Sequence, residues 1–111
     1  MKRRLPRTVF PPSERRRRSR IAELAHSRRL LRGTLSVRSL TCGKSNCRCA
    51  RGDLHVYLYV VQSHDGKPRQ LYVPREWEGQ VRQAVEDYQE LQRLVEGLSE
   101  LEWQRLIKQK E

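Results

Sequence analysis

Long apolar runs are missing from this chain, and so are most signatures of catalysis. Nothing approaches the roughly eighteen consecutive apolar residues that a membrane-spanning helix needs. Met1-Lys2-Arg3-Arg4 is followed by Pro6, Pro11 and Pro12 instead of an apolar stretch. That argues against a secretory leader, twin-arginine export and the amphipathic helix of an organellar transit peptide. The expectation is a cytoplasmic protein with no membrane partner. Apolar residues are only 36% of 111, and mean hydropathy is -0.88. A core that small is expected to need stapling by metal or oligomerisation. Internal repeats are absent, and no glycine-rich loop is present to cradle a phosphate. The carboxylates gather in the C-terminal half at spacings of solvated helix faces, which points away from an enzyme.

Acidic residues are scarce where basic ones are dense. Residues 1–54 carry 16 Lys/Arg and 3 Asp/Glu, whereas residues 55–111 carry 8 and 10, within a net charge of +11. A surface charged merely for solubility would mix its signs. This asymmetry reads as a polyanion-binding half joined to a folding or partner-binding half.

Cysteine is confined to one place. Cys42, Cys47 and Cys49 lie within eight residues, and His55 follows. The spacing C-x4-C-x-C-x5-H supplies four sulfur and nitrogen donors, the number that a tetrahedral structural zinc takes. In a reducing compartment such a cluster favours metal over disulfides, and zinc is expected ahead of an iron–sulfur cluster. Gly43 would permit a tight turn after the first thiolate. Lys44, Arg48 and Arg51 would offset the charge of three bound thiolates and lower the thiol pKa values. His55 is preferred to His64 as fourth ligand because His64 falls in a turn. A nucleophilic cysteine would lack a base and an orienting partner. A zinc with four protein ligands has no open position for substrate.

The pattern predicts an α+β fold. Residues 1–18 read as a disordered basic arm and 19–32 as a basic helix, capped by Ser19 and ended by Gly33. Residues 33–74 form the zinc-knuckle β domain. Alternation from Thr34 to Thr41, a strong β run over 55–63, an Asp65-Gly66 turn and Gln70-Leu71-Tyr72-Val73 make a three-stranded antiparallel meander. Residues 75–111 are the C-terminal helical segment. Trp77, Val81, Val85, Tyr88, Leu91, Val95 and Leu98 form an apolar stripe, after which Gly97 and Ser99-Glu100-Leu101-Glu102 read as a break and a fresh cap. One long amphipathic helix and a helical hairpin both fit. The stripe would pack on the small sheet or, alternatively, pair in a coiled coil or hairpin dimer.

Arg32-Gly33-Thr34-Leu35, the Cys42–Cys49 loop, His55 and Tyr57-Leu58-Tyr59 together resemble an uncharacterised family of small prokaryotic proteins. That family has an Arg-Gly-[Ser/Thr]-Leu start, a Cys-Gly-Lys-x-x-Cys-x-Cys loop, a downstream His and a tyrosine-rich strand. The resemblance spans 32–98 and leaves the basic arm outside. The family often places Gly-Pro after the histidine, where this chain has Val56-Tyr57. What the resemblance implies is a set of domain boundaries and a metal loop; it implies no activity.

The expected function is nucleic-acid binding, to RNA or DNA, within a nucleoprotein assembly. Arg15, Arg16, Arg17, Arg18, Arg20, Arg28, Arg29 and Arg32, with Lys44, Arg48 and Arg51 on the knuckle, would neutralise phosphates. Tyr57, Tyr59 and Tyr72 could stack unpaired bases, or else pack in a core or against each other across strands. The alternative is a protein–protein adaptor or dimeric regulator, with a homodimer formed through residues 77–107.

Overall fold

The computed structural model of the protein describes residues 10–40, 43–48, 52 and 55–110. The fold is α+β: an N-terminal helix α1 (Pro12–Ser27), then strands β1 (Thr34–Leu40), β2 (His55–His64) and β3 (Lys67–Val73). A single 3-10 turn (Arg75–Trp77) leads into a long helix α2 (Glu78–Lys110). Two compact units divide the chain. One is Leu31–Glu86; the other is built from the described residues of Met1–Leu30 and Asp87–Glu111.

The sheet unit follows the alternation of its strands. All three run antiparallel in the order β1-β2-β3. Asp65 and Gly66 have φ of 51 and 77, the left-handed pair that a two-residue hairpin turn requires. Leu35 pairs with Val60 and Leu58 with Val73, so these side chains share one face. Val81 and Val85 in the first turns of α2 close over that face, and Leu31 joins the cluster. Each such side chain, fully buried, contributes roughly 1.5–3 kcal/mol. Pro74 ends β3, having no N–H for a further ladder bond.

Gly33 has a different task from the one its sequence position implies. The helix before it already ends at Ser27, whose hydroxyl bonds the Glu23 carbonyl at 2.7 Å, and Arg28 is extended. The Leu31 amide then donates to the Ala84 carbonyl at 3.0 Å. Gly33 instead lies tight against β2: a Cβ there would come 2.7 Å from Val60 Cγ2 and 3.1 Å from the Val61 carbonyl oxygen.

The helical unit combines a fully buried leucine with several ion pairs. α1 begins seven residues before Ser19, with Pro12 in its first turn, so residues 12–18 are helical instead of belonging to a disordered arm. Pro at a helix start needs no amide partner and has the helical φ already set. Glu14, only 1% exposed, accepts from Arg18 at 3.2 Å and from Arg105 of α2. In the same helix Leu24 is completely buried. Residues 1–9, the remainder of the expected arm, lie outside the described residues.

α2 runs for 33 residues without the break expected at Gly97. A side chain at 97 would collide with the Arg17 guanidinium, so the glycine makes room for a crossing arginine within one continuous helix. Among the described residues, no helix is long and apolar enough to cross a membrane.

Candidate metal-binding loop and nucleic-acid interface

Two of the four expected ligands meet. Cys47 Sγ lies 3.1 Å from His55 Nε2. Two donors on one tetrahedral zinc, at bonds of about 2.3 and 2.0 Å, stand about 3.5 Å apart. The observed pair therefore needs only a small opening to admit an ion. The local chain explains the approach. Gly43 takes φ of 83, and a turn follows in which the Cys47 amide donates to the Lys44 carbonyl at 3.2 Å. Ser45 and Asn46, both suited to turns, occupy its middle. His55 begins β2 and pairs with Leu40, the last residue of β1, so the hairpin mouth presents it to the loop. His64 stands at the opposite end of that ten-residue strand, 3.5 Å from Asp65. His26 is an exposed residue in the last turns of α1. Cys42, Cys49 and Arg51 lie outside the described residues, among which no group of three or more His, Cys, Asp or Glu could hold a metal.

The face of the sheet opposite the core is aromatic and cationic. His55, Tyr57 and Tyr59 alternate along β2, and register brings Arg38 beside Tyr57 and Tyr72 beside Tyr59. Tyr72 contacts both other tyrosines edge to face, each at a centroid distance of 5.8 Å. His55 and Tyr57 are 5.9 Å apart. The Arg38 guanidinium lies over the Tyr59 ring at 4.4 Å, and its Nε is 3.4 Å from Ser36 Oγ. The tyrosines thus lie outside the core and pair across strands. Arg38 belongs to this surface although the expected contact set omits it, and Tyr72 stands there beside Tyr57 and Tyr59 as a ring that could stack bases. Strand parity was the available signal, since Arg38 alternates with Val37 and Tyr72 with Val73.

The expected phosphate-binding arginines divide into two groups. Arg20 is engaged by Glu90 through two hydrogen bonds, at 2.7 and 2.9 Å, and by Glu23 at 2.8 Å. Its guanidinium bonding holds the Glu90 carboxyl below the usual carboxylate range. Arg18 pairs with Glu14 and covers the Phe10 ring at 3.9 Å. Arg28 approaches buried Asp87 at 3.8 Å, and Arg32 donates to the Ser63 carbonyl at 2.6 Å. Arg17 occupies the space beside Gly97. Arg18, Arg20, Arg28 and Arg32 are engaged within the fold, while Arg17 is exposed with its guanidinium beside Gly97. Arg15, Arg16 and Arg29 are exposed and make no ion pair with any described residue, and Lys44 and Arg48 stand exposed on either side of Cys47.

Burial alone would raise the Glu14 carboxyl. Hydrogen bonds from Arg105 and Arg18, with their charges, outweigh it and hold the group below its ordinary value. Glu14 and Arg105 are structural residues that composition alone did not single out.

No curated protein and no solved structure matches the chain. A family model described as a domain of unknown function does match, over residues 12–83. It takes in all of α1, which the resemblance over 32–98 leaves outside, and it stops within the first turns of α2. With most of its length so matched, the chain belongs to the family of the Domain of unknown function (DUF6788).

Proposed function

We propose that the protein binds nucleic acid through a zinc-clamped hairpin loop and the cations around it, within a larger nucleoprotein assembly. The observation that carries this reading is the 3.1 Å approach of Cys47 to His55 at the mouth of a sheet whose strands contain no Asp or Glu. Cys42 and Cys49 would complete the donor set, an assignment that rests on their spacing. A bound zinc would supply a structural clamp without chemistry of its own. Lys44 and Arg48 flank the described thiol and would meet phosphates in a set pose, with Arg15, Arg16 and Arg29 adding charge from the helical unit.

The test is fluorescence anisotropy of a labelled nucleic acid against salt concentration. Affinity should fall steeply as salt rises. Replacing Arg15 and Arg16 together with Ser should flatten the slope by about two, one for each phosphate no longer neutralised. Binding that is absent at low salt refutes the reading.

A second reading has its own support. Val95, Trp103, Leu106 and Ile107 are exposed on α2, with Trp103 62% accessible. Their spacings place them on one side of the helix, which fits pairing with a second copy of this chain. In that case Trp103→Glu should convert a salt-resistant dimer to monomer in sedimentation.

A further inference from the structure

We propose that the tyrosine face of the sheet is a platform for unpaired bases, and that its ligand is single-stranded RNA. This rests on the nucleic-acid reading above and narrows it.

Three features of the face specify the ligand. The first is charge. On this face the strands present Arg38, His55 and the tyrosines as ionisable side chains, with no carboxylate among them, while Lys67 and Arg69 alternate to the other face. In the helical unit, Arg18, Arg20, Arg28 and Arg105 each have a carboxylate within reach. Among the described residues Arg38 has an aromatic ring and a hydroxyl as partners instead of a carboxylate, which suits it to meet a phosphate or a base.

The second is ring geometry. Tyr72 is 47% exposed, although its edge contacts to Tyr57 and Tyr59 hold it in place. Interplanar angles of 69° and 63° mean that none of these rings covers another face to face. Tyr59 is already capped by Arg38, so the two surfaces offered to a ligand are the Tyr72 ring and the Arg38 guanidinium. They come from opposite edge strands and flank Tyr59, at 4.4 Å and 5.8 Å from its ring centre. Each could therefore receive its own base. Stacked bases within a duplex are inaccessible to such rings, whereas splayed single-stranded bases stack on aromatic and guanidinium planes.

The third is hydroxyl content. Ser36 lies opposite Tyr59, and Thr34 follows on the same face. Ser36 Oγ faces the Arg38 Nε, which leaves its own hydrogen free to donate. A face lined by serine, threonine and phenolic hydroxyls suits a ribose 2′-OH, which both donates and accepts.

The experiment measures anisotropy of a short fluorescein-labelled oligouridylate, the matching oligodeoxyuridylate and a mixed-sequence DNA duplex, with the full-length zinc-loaded protein. Tyr72→Ala should weaken oligouridylate binding about tenfold, while Tyr72→Phe stays within about threefold of wild type. Arg38→Ala should weaken it and lower the salt slope by about one. Duplex affinity should be unaffected by Tyr72→Ala, and oligodeoxyuridylate should bind more weakly than oligouridylate. Thermal unfolding of Tyr72→Ala beside Tyr72→Phe, which keeps the ring, separates a folding defect from the missing stacking surface. Equal oligodeoxyuridylate affinity would overturn the choice of RNA. If Tyr72→Ala changes neither probe while Arg15→Ser with Arg16→Ser weakens both, the platform is refuted and the broader reading stands. Should wild type bind none of the three, both fall together.

Discussion

The two units of this protein bury different kinds of side chain. The sheet unit has an ordinary apolar cluster of Leu58, Val60, Val73 and Val85, built from residues that alternate along strands and one from the start of α2. In the helical unit the buried side chains include Glu14 and Asp87 as well as Leu24, and arginines meet both acids. One unit excludes water from hydrocarbon, and the other neutralises charge inside a helix pair. The same residue type therefore means different things in the two places. Arg18, Arg20, Arg28 and Arg105 in the helical unit pair with carboxylates, whereas Arg38 in the sheet unit meets a ring and a hydroxyl and no carboxylate among the described residues.

The largest effect should come from the loop. Cys47→Ser should abolish the proposed zinc binding, read by elemental analysis, and loosen the sheet unit, read by hydrogen exchange in β1 and β2. His26→Ala, on an exposed helix turn, should leave both unchanged. Equal effects of the two would undo the ligand assignment.

Next comes the apolar cluster. Leu58→Ala should cost about 3 kcal/mol in denaturant unfolding, the usual range for emptying a filled core position. A loss below about 1 kcal/mol would mean that this cluster is not what holds the sheet unit together.

The smallest and most discriminating effect is acid sensitivity. Glu14 and Glu90 have native carboxyls held below their ordinary range. Their stabilisation is complete above the unfolded carboxylate pKa and is lost as pH falls through the lowered native values. The strands hold no carboxylate to lose in this way. On acidification below the ordinary carboxylate range, Trp103 in α2 should report loosening before Trp77 in the sheet unit does, each followed in the variant lacking the other tryptophan. Simultaneous transitions would show that the units do not differ as described.

This division also explains what could be read from the sequence. The hairpin was legible because alternation, Asp65-Gly66 and Pro74 all act locally, and β2 and β3 follow from them. α1 was misplaced because Arg15-Arg16-Arg17-Arg18 reads as self-repelling. Its neutralising partners are carboxylates: Glu14, four residues before Arg18, and, for Arg20 just beyond the run, Glu90 far away in the chain. Pro12 followed by Glu14 was the local sign that a helix begins there. The break at Gly97 was expected from a glycine and a cap motif, but the space it leaves is filled by Arg17, which no local pattern reveals. Of the expected ligand set Cys42, Cys47, Cys49 and His55, the fold brings the Cys47 and His55 side chains together, and Cys42 and Cys49 lie outside the described residues. The uneven use of the arginines depends on tertiary carboxylates and could not be read beforehand.

The account depends on an ion fixing the loop beside the tyrosine face. The most direct measurement is the affinity of one protein sample for oligouridylate before chelation, after chelation and after zinc is restored. At least a tenfold loss, recovered with zinc, is the predicted result. Unchanged affinity through all three steps would contradict it.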